Sequence, residues 1–464
     1  MSFSNATTSS QALAALDVQY LRLEEARAEL LRRLDVIEQQ KHQIEIKRAE
    51  YAPVYSVPDD VLYQILEEAY AHPLHRCRLD YNTHSPISVA QVSRRWRYVA
   101  LSLPRIWSCI HVPTPLSRSH IPQIALYISR SRPMPIAFTI RCRFQTPTSP
   151  DMDLYMECLT RLLTPHVRSC TIYTDYAASM EAFLGFLTMT DHSCFEHLHL
   201  QLLGEDARLV LDSSSVPSYL RSALFHAVRL PSPPAVLSNM RRLTLEQQPI
   251  SLHYLHDIAL SCPSLTHLTL REVTTTDDGM RVDVRFPALE HLQLCELDLA
   301  RMGDLLGWID APQLASLVIR DISLGGAHAL ALPVPRYRTY DALRTVRIHF
   351  PYAATHIPTF LAQTPRVVAL DLTGTNVGPL ARALLAVGSG LLPHLEVLTA
   401  TILWNERHDV FLDLVRHRER IGRPLKEIRL GYLFLAELDG ELLHKLSQHV
   451  IVTRLDERNR MRRV

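Results

Sequence analysis

One short phrase, Leu-x-x-Leu-x-Leu with small variations, constrains this chain of 464 residues more than anything else in it. It appears as "MRRLTL" ending at Leu245, "LTHLTL" at Leu270, "LEHLQL" at Leu294, "LASLVI" at Ile319, "LRTVRI" at Ile348, "VVALDL" at Leu372, "LEVLTA" at Ala400 and "LKEIRL" at Leu430. Successive ends lie 25, 24, 25, 29, 24, 28 and 30 residues apart. Apolar residues at alternate positions make a short strand with one buried face. A near-constant step means that each strand is followed by a return path to the same starting line. At least seven parallel strands side by side, centred near residues 244, 269, 293, 318, 347, 371 and 429, are the expected result.

Upstream copies are looser: "FEHLHL" ending at Leu200, "LRSALF" at Phe225 and "VRSCTI" at Ile172. "PMPIAFTIRCRF", around residues 134–144, alternates Ile136, Phe138 and Ile140 and reads as the opening strand. The period resembles that of leucine-rich repeats, in which a strand, a turn and a helical or irregular return make one coil. The resemblance implies a curved α/β solenoid over residues 111–464, with a parallel sheet lining the concave face and a C-terminal cap. The usual Asn or Cys after the strand is replaced by Val273, Leu297, Ile322, Thr375 and Leu433. Aliphatic side chains cannot satisfy backbone groups there, so the return side needs secondary structure of its own. "SLHYLHDIALSCPS" and "FLDLVRHRERIGRP" read as helices in that role.

Ahead of the repeats, after a disordered tail (1–10), residues 11–52 read as one amphipathic helix. Leu13, Leu16, Tyr20, Leu23, Leu30, Leu34, Ile37 and Ile44 recur at spacings of three and four, with Arg27, Lys41 and Arg48 interrupting the seam. Such a stripe suits either a coiled coil, giving self-association through residues 11–50, or a helix docked on its own domain.

Next, "VPDDVLYQILEEAY" (57–70) starts a helix where Pro58 needs no amide hydrogen and Asp59 and Asp60 meet the positive end of the helix dipole. Its apolar stripe is answered by a second one in "SVAQVSRRWRYVALSLPRIW" (88–107). Two short helices cannot bury both stripes alone, so the apolar side of the first should stay partly uncovered for a partner. Residues 54–110 thereby resemble an F-box: Val57-Pro58, Leu62, Ile65-Leu66, Val89, Val92, Arg95, Trp96, Arg97, Val99-Ala100, Pro104 and Trp107 fall in its order and spacing, with a longer loop between the helices.

Composition bounds the rest. A formal charge of +1 offers no global field for nucleic acid or membrane, and no apolar run is long enough to span a bilayer. The eight cysteines include no C-x-x-C, which fits free thiols in a reducing compartment. "MSFSNATTSS" lacks the features of a signal peptide, so a cytoplasmic or nuclear location, or both, is expected. Tyr81 to Pro150 contains no acid but many arginines, read as helix caps and solvated faces or as a basic patch for an acidic partner.

No catalytic constellation emerges. His253 and His256 sit one helical turn apart without the carboxylate of a zinc-protease motif. His72, His75 and Cys77 lack a second ligand pair at zinc spacing. His197, His199 and His291 lie inside repeat strands, and His197 and His291 share one repeat position on the open face. The chain therefore reads as a non-enzyme, with no cofactor and no metal.

An F-box followed by leucine-rich repeats resembles the substrate receptors of cullin-RING (SCF-type) ubiquitin ligases, in a style similar to the large F-box families of mushroom-forming fungi. The resemblance implies a Skp-type adaptor, and through it a cullin, held by Pro58, Val61, Leu62, Ile65, Leu66, Val89, Val92, Trp96 and Trp107, with an unknown protein substrate on the repeats. The alternative is a non-catalytic leucine-rich scaffold without a ligase role.

Overall fold

The computed structural model describes residues 4–50, 57–70, 86–112, 114–142, 150–162, 166–188, 195–204, 209–211, 219–230, 237–276, 284–297, 305–320, 340–349, 357–373, 378–386, 390–402, 409–432 and 440–455. The chain divides into two compact units, Met1–Ile106 and Trp107–Val464.

The first unit is helical. Helix α1 (Ser4–Glu50) runs unbroken and begins before residue 11, so residues 4–10 continue the helix where a disordered tail was expected. Extending an existing helix costs far less than nucleating one, so even "SNATTSS" can ride on it. Helix α2 (Asp59–Tyr70) opens with Leu62 N–H donating to the Pro58 carbonyl at 3.0 Å. Helices α3 (Pro86–Val92) and α4 (Arg94–Ser102) follow, with Ser93 capping α4 by accepting from Trp96 N–H at 3.2 Å. Leu62, Leu66, Ala90, Val99, Ala100, Leu103 and Ile106 are buried. A further helical turn, α5, spans Pro104–Trp107.

The second unit is an α/β array built on one parallel sheet of fourteen strands in strict chain order. The strands are β1 (Cys109–Val112), β2 (Ile136–Cys142), β3 (Val167–Thr174), β4 (His197–Leu202), β5 (Ser222–His226), β6 (Arg242–Glu246) and β7 (His267–Arg271), then β8 (His291–Cys295), β9 (Ser316–Arg320), β10 (Thr345–His349), β11 (Ala369–Leu372), β12 (Val397–Ile402), β13 (Glu427–Tyr432) and β14 (Ile451–Leu455). Every leucine phrase found in the sequence lies on one of them. The sheet opens one strand earlier than expected, at β1 rather than at residues 134–144, and β14 pairs beyond β13.

Register explains the repetition. Leu243, Leu268, Leu292 and Leu317 stand opposite one another in successive strands, as do Leu245, Leu270, Leu294 and Ile319, and all eight are buried. Each fully buried aliphatic side chain contributes about 1.5–3 kcal/mol, but only when the neighbouring coil covers it. A turn recurs before β7, β8, β9 and β12: Leu265, Leu289, Leu314 and Leu395 N–H groups donate to the carbonyls of Cys262, Phe286, Ala311 and Leu392. Pro263, Pro287, Pro312 and Pro393 occupy its second position, where a fixed φ is already correct.

On the return side, Val273 and Leu297 are buried where an Asn or Cys was missing. The backbone there is satisfied by short parallel pairs, Pro249–Ser251 with Thr274–Thr276 and Val284–Arg285 with Ile309–Asp310. Helix α9 (Leu252–Ser261) packs among the returns. Others are α6 (His120–Ser131), α7 (Pro150–Leu162) and α8 (Ala177–Thr188) before it, and α10 (Ile357–Leu361), α11 (Gly378–Leu385), α12 (Asp409–Arg420) and α13 (Gly440–Ser447) after it. Ile322, Thr375 and Leu433 lie outside the described residues. No helix among the described residues is long and apolar enough to cross a membrane.

Candidate functional site: two exposed surfaces

The first surface is built on α2. Arg95 Nε donates to Asp59 Oδ1 at 2.6 Å, a second Arg95 nitrogen reaches the Val57 carbonyl, and the hydroxyls of Tyr63 and Ser102 hydrogen-bond. These contacts fix the proline-led end of α2 against α4. Arg97 Nε, from the same acid-free stretch, donates to the Ala90 carbonyl at 3.0 Å. Two of the arginines in that stretch are thus structural.

Fixing α2 sorts the residues expected to face an adaptor. Leu62 and Leu66 are buried within the first unit, whereas Val61 and Ile65, one helical turn apart, are exposed. Pro58 and Val92 are exposed, and Val89 and Trp96 are half-buried. Tyr98 and Leu101, three residues apart on α4, are also exposed and were not singled out by the sequence pattern. Trp107 needs correction as a partner-facing residue. It is fully buried in the second unit, edge-on to Tyr127 at 5.2 Å between ring centroids, with the Arg130 guanidinium 4.6 Å above its ring. It has no surface left for a partner.

The second surface is the open face of the sheet. Parallel sheets ordinarily bury both faces. Here the strands alternate buried and half-exposed residues, so one face is available. Register aligns Ser169, His197, Ser222, Arg242, His267 and His291 into one row across β3 to β8. The His267 and His291 rings stack with centroids 4.2 Å apart. His199, in the adjacent row, meets Tyr173 edge-on at 5.4 Å, and burial pushes its imidazole down to about 4. His226 Nδ1 lies 3.2 Å from Glu246 Oε2. Further along, Arg347 stands opposite Asp371 in register and Arg429 is held by Glu427 at 2.9 Å.

At the strand ends a kink repeats. Ala227, Gln247, Glu272 and Glu296 all adopt left-handed backbone conformations, with φ of 56°, 50°, 50° and 53°. Their N–H groups donate to Glu246, Arg271, Cys295 and Arg320 carbonyls, carrying the ladder one residue past each strand. Arg271 donates to Glu296 at 2.9 Å, and a hydrogen bond shared with Glu272, donated by the Glu296 carboxyl, raises Glu296 while lowering Glu272.

Among the described residues, no group of three or more His, Cys, Asp or Glu is placed to hold a metal ion. His253 and His256 lie half-buried on α9, while His72, His75 and Cys77 lie outside the described residues. Cys109, Cys142, Cys158, Cys170, Cys262 and Cys295 are free thiols. Burial raises Cys158 and Cys262 to about 12 and pushes Cys142 and Cys170 well up too, so none of these four supplies a thiolate at neutral pH.

The sequence matches no protein-family model, and no curated protein is detectably similar to it.

Proposed function

We propose that this chain is the substrate-recognition subunit of a cullin-RING (SCF-type) ubiquitin ligase, with an F-box in its first unit and leucine-rich coils in its second. The observation that carries this reading is the juxtaposition on α2 of a proline-led, Arg95-clamped start with the solvent-facing pair Val61 and Ile65. An exposed apolar pair on a rigid helix costs solubility unless a partner covers it. The adaptor-facing residues are then Pro58, Val61, Ile65 and Val92, with Val89 and Trp96 at half-buried positions and Leu62 and Leu66 supporting them from the core. The open face of the sheet, with its histidine and arginine rows, is the substrate surface.

The test is reconstitution with a Skp adaptor and cullin from the same organism. A stable ternary complex is expected. An adaptor that does not bind the folded chain overturns the reading and leaves a scaffold role.

A further inference from the structure

Helix α1 carries eleven of the twenty-one large apolar side chains that are exposed among the described residues. From Leu16 to Ile44 every side chain except that of Glu29 is exposed. Leu23 is 70% exposed and even Leu34 is 53% exposed. Among the described residues nothing covers the seam of this 47-residue helix.

We infer that α1 forms a parallel, in-register, two-stranded coiled coil with a second copy of this chain. The pattern names the occupant. Spacings of three and four place Leu16, Leu23, Leu30, Ile37 and Ile44 at one seam position and Tyr20, Arg27, Leu34 and Lys41 at the other. The residues flanking the all-apolar position are Asp17, Glu24, Leu31 and Glu38, and those flanking the other are Gln19, Ala26, Arg33 and Gln40.

In a parallel in-register pair each flank meets the opposite flank of its partner five residues on. Gln19 then meets Glu24, Ala26 meets Leu31, and Arg33 meets Glu38. The apolar flank residue faces the small one, and no two like charges are opposed between the flanks; at the seam Arg27 and Lys41 each meet their own copy. In an antiparallel pair like flanks meet, and the register centred on Leu31 would set Glu24 against Glu38 twice over. Arg27 and Lys41 select the strand number. In two strands their long side chains can run out of the seam to water, whereas in three they would be enclosed. A basic residue at that position fixes register and oligomer state while lowering stability. Because α2 begins nine residues after α1 ends, a parallel pair makes the receptor bivalent, whatever the second unit binds.

Sedimentation of the full chain from 1 to 100 μM should give twice the 52.9 kDa chain mass. Leu23→Lys with Leu30→Lys should return a monomer whose melting is otherwise unchanged, since neither residue is in a core. Leu16→Cys should form a disulfide-linked dimer under mild oxidation, above the wild-type background, because only a parallel register apposes the two copies of that position. Arg33→Glu should weaken the dimer roughly tenfold, and Glu38→Arg added to it should restore the affinity. A monomer throughout the range, a trimer, or a dimer without the Leu16→Cys cross-link would each overturn the inference.

Discussion

Arg95 on α4 and Asp59 at the start of α2 are joined by a 2.6 Å hydrogen bond across 36 residues of sequence. The same guanidinium reaches the Val57 carbonyl just before Pro58. One side chain therefore sets both the direction in which the chain enters α2 and the angle of that helix against α4.

Replacing it is expected to loosen the first unit. For Arg95→Ala the loss is about 1–2 kcal/mol, the sum of one charge-assisted bond, partly screened by water, and one bond to a carbonyl. Hydrogen exchange in α2 should rise while the sheet of the second unit stays protected. Unchanged exchange in α2 would show that the clamp is not what holds it.

Two double substitutions on α2 should separate core from docking face. Leu62→Ala with Leu66→Ala removes buried groups and should cost about 2–5 kcal/mol per site in stability of the first unit. Val61→Ala with Ile65→Ala removes exposed groups and should leave melting within about 0.5 kcal/mol. If α2 docks an adaptor, only the second pair should weaken binding without unfolding the helix. Equal loss of stability from both pairs would mean that α2 has no free side.

Much of this architecture could be read from the leucine phrase, because a period of two inside each copy and a near-constant step between copies leave few alternatives to a parallel sheet. What escaped was carried by other signals. Strand β1, "CIHV", and β14, "IVTRL", contain no leucine phrase and are recognisable only by their neighbours. The turn before β7, β8, β9 and β12 was written in the spacing of Pro263, Pro287, Pro312 and Pro393, which a reading centred on leucine passes over. On α2, Leu62 with Leu66 and Val61 with Ile65 are equivalent pairs by spacing. Only the Arg95 clamp and the packing of Val99 and Ala100 decide which pair turns inward.

Arg418 was hidden by composition, inside a stretch that reads "VRHRERIGR". It is 3% exposed and donates to the carbonyls of Arg423 at 3.1 Å, Leu392 at 3.2 Å and Leu395 at 3.1 Å. It thus locks α12 to the turn that precedes β12. Arg418→Met should cost about 2–4 kcal/mol, since the buried Leu392 and Leu395 carbonyls and the part-buried Arg423 carbonyl each lose a charged donor. Arg418→Lys should recover only part, because an ammonium cannot reproduce the planar fork. Chemical denaturation of the three proteins measures this directly. A methionine variant as stable as the wild type would show that water replaces the guanidinium.

The histidines of the open face predict an acid limb of stability well above the carboxylate range. Burial lowers His199 to about 4, and it also lowers His197 and His267. The unfolded chain holds these imidazoles near their ordinary value of about 6.5. Between those two values the unfolded state binds more protons than the folded one. The stability contributed by a neutral buried His199 is therefore complete above about pH 7 and lost as pH falls from 6.5 towards 4. For His199 alone the loss is on the order of 3 kcal/mol at the bottom of that window. His199→Gln keeps a polar group of similar reach and cannot ionise, so its melting temperature should fall less steeply between pH 6.5 and 4.5 than that of the wild type. Melting curves at half-unit steps across that window give the comparison. Parallel profiles for the two proteins would mean that His199 is protonated without opening the sheet, and that the face around Tyr173 is wetter than its packing indicates.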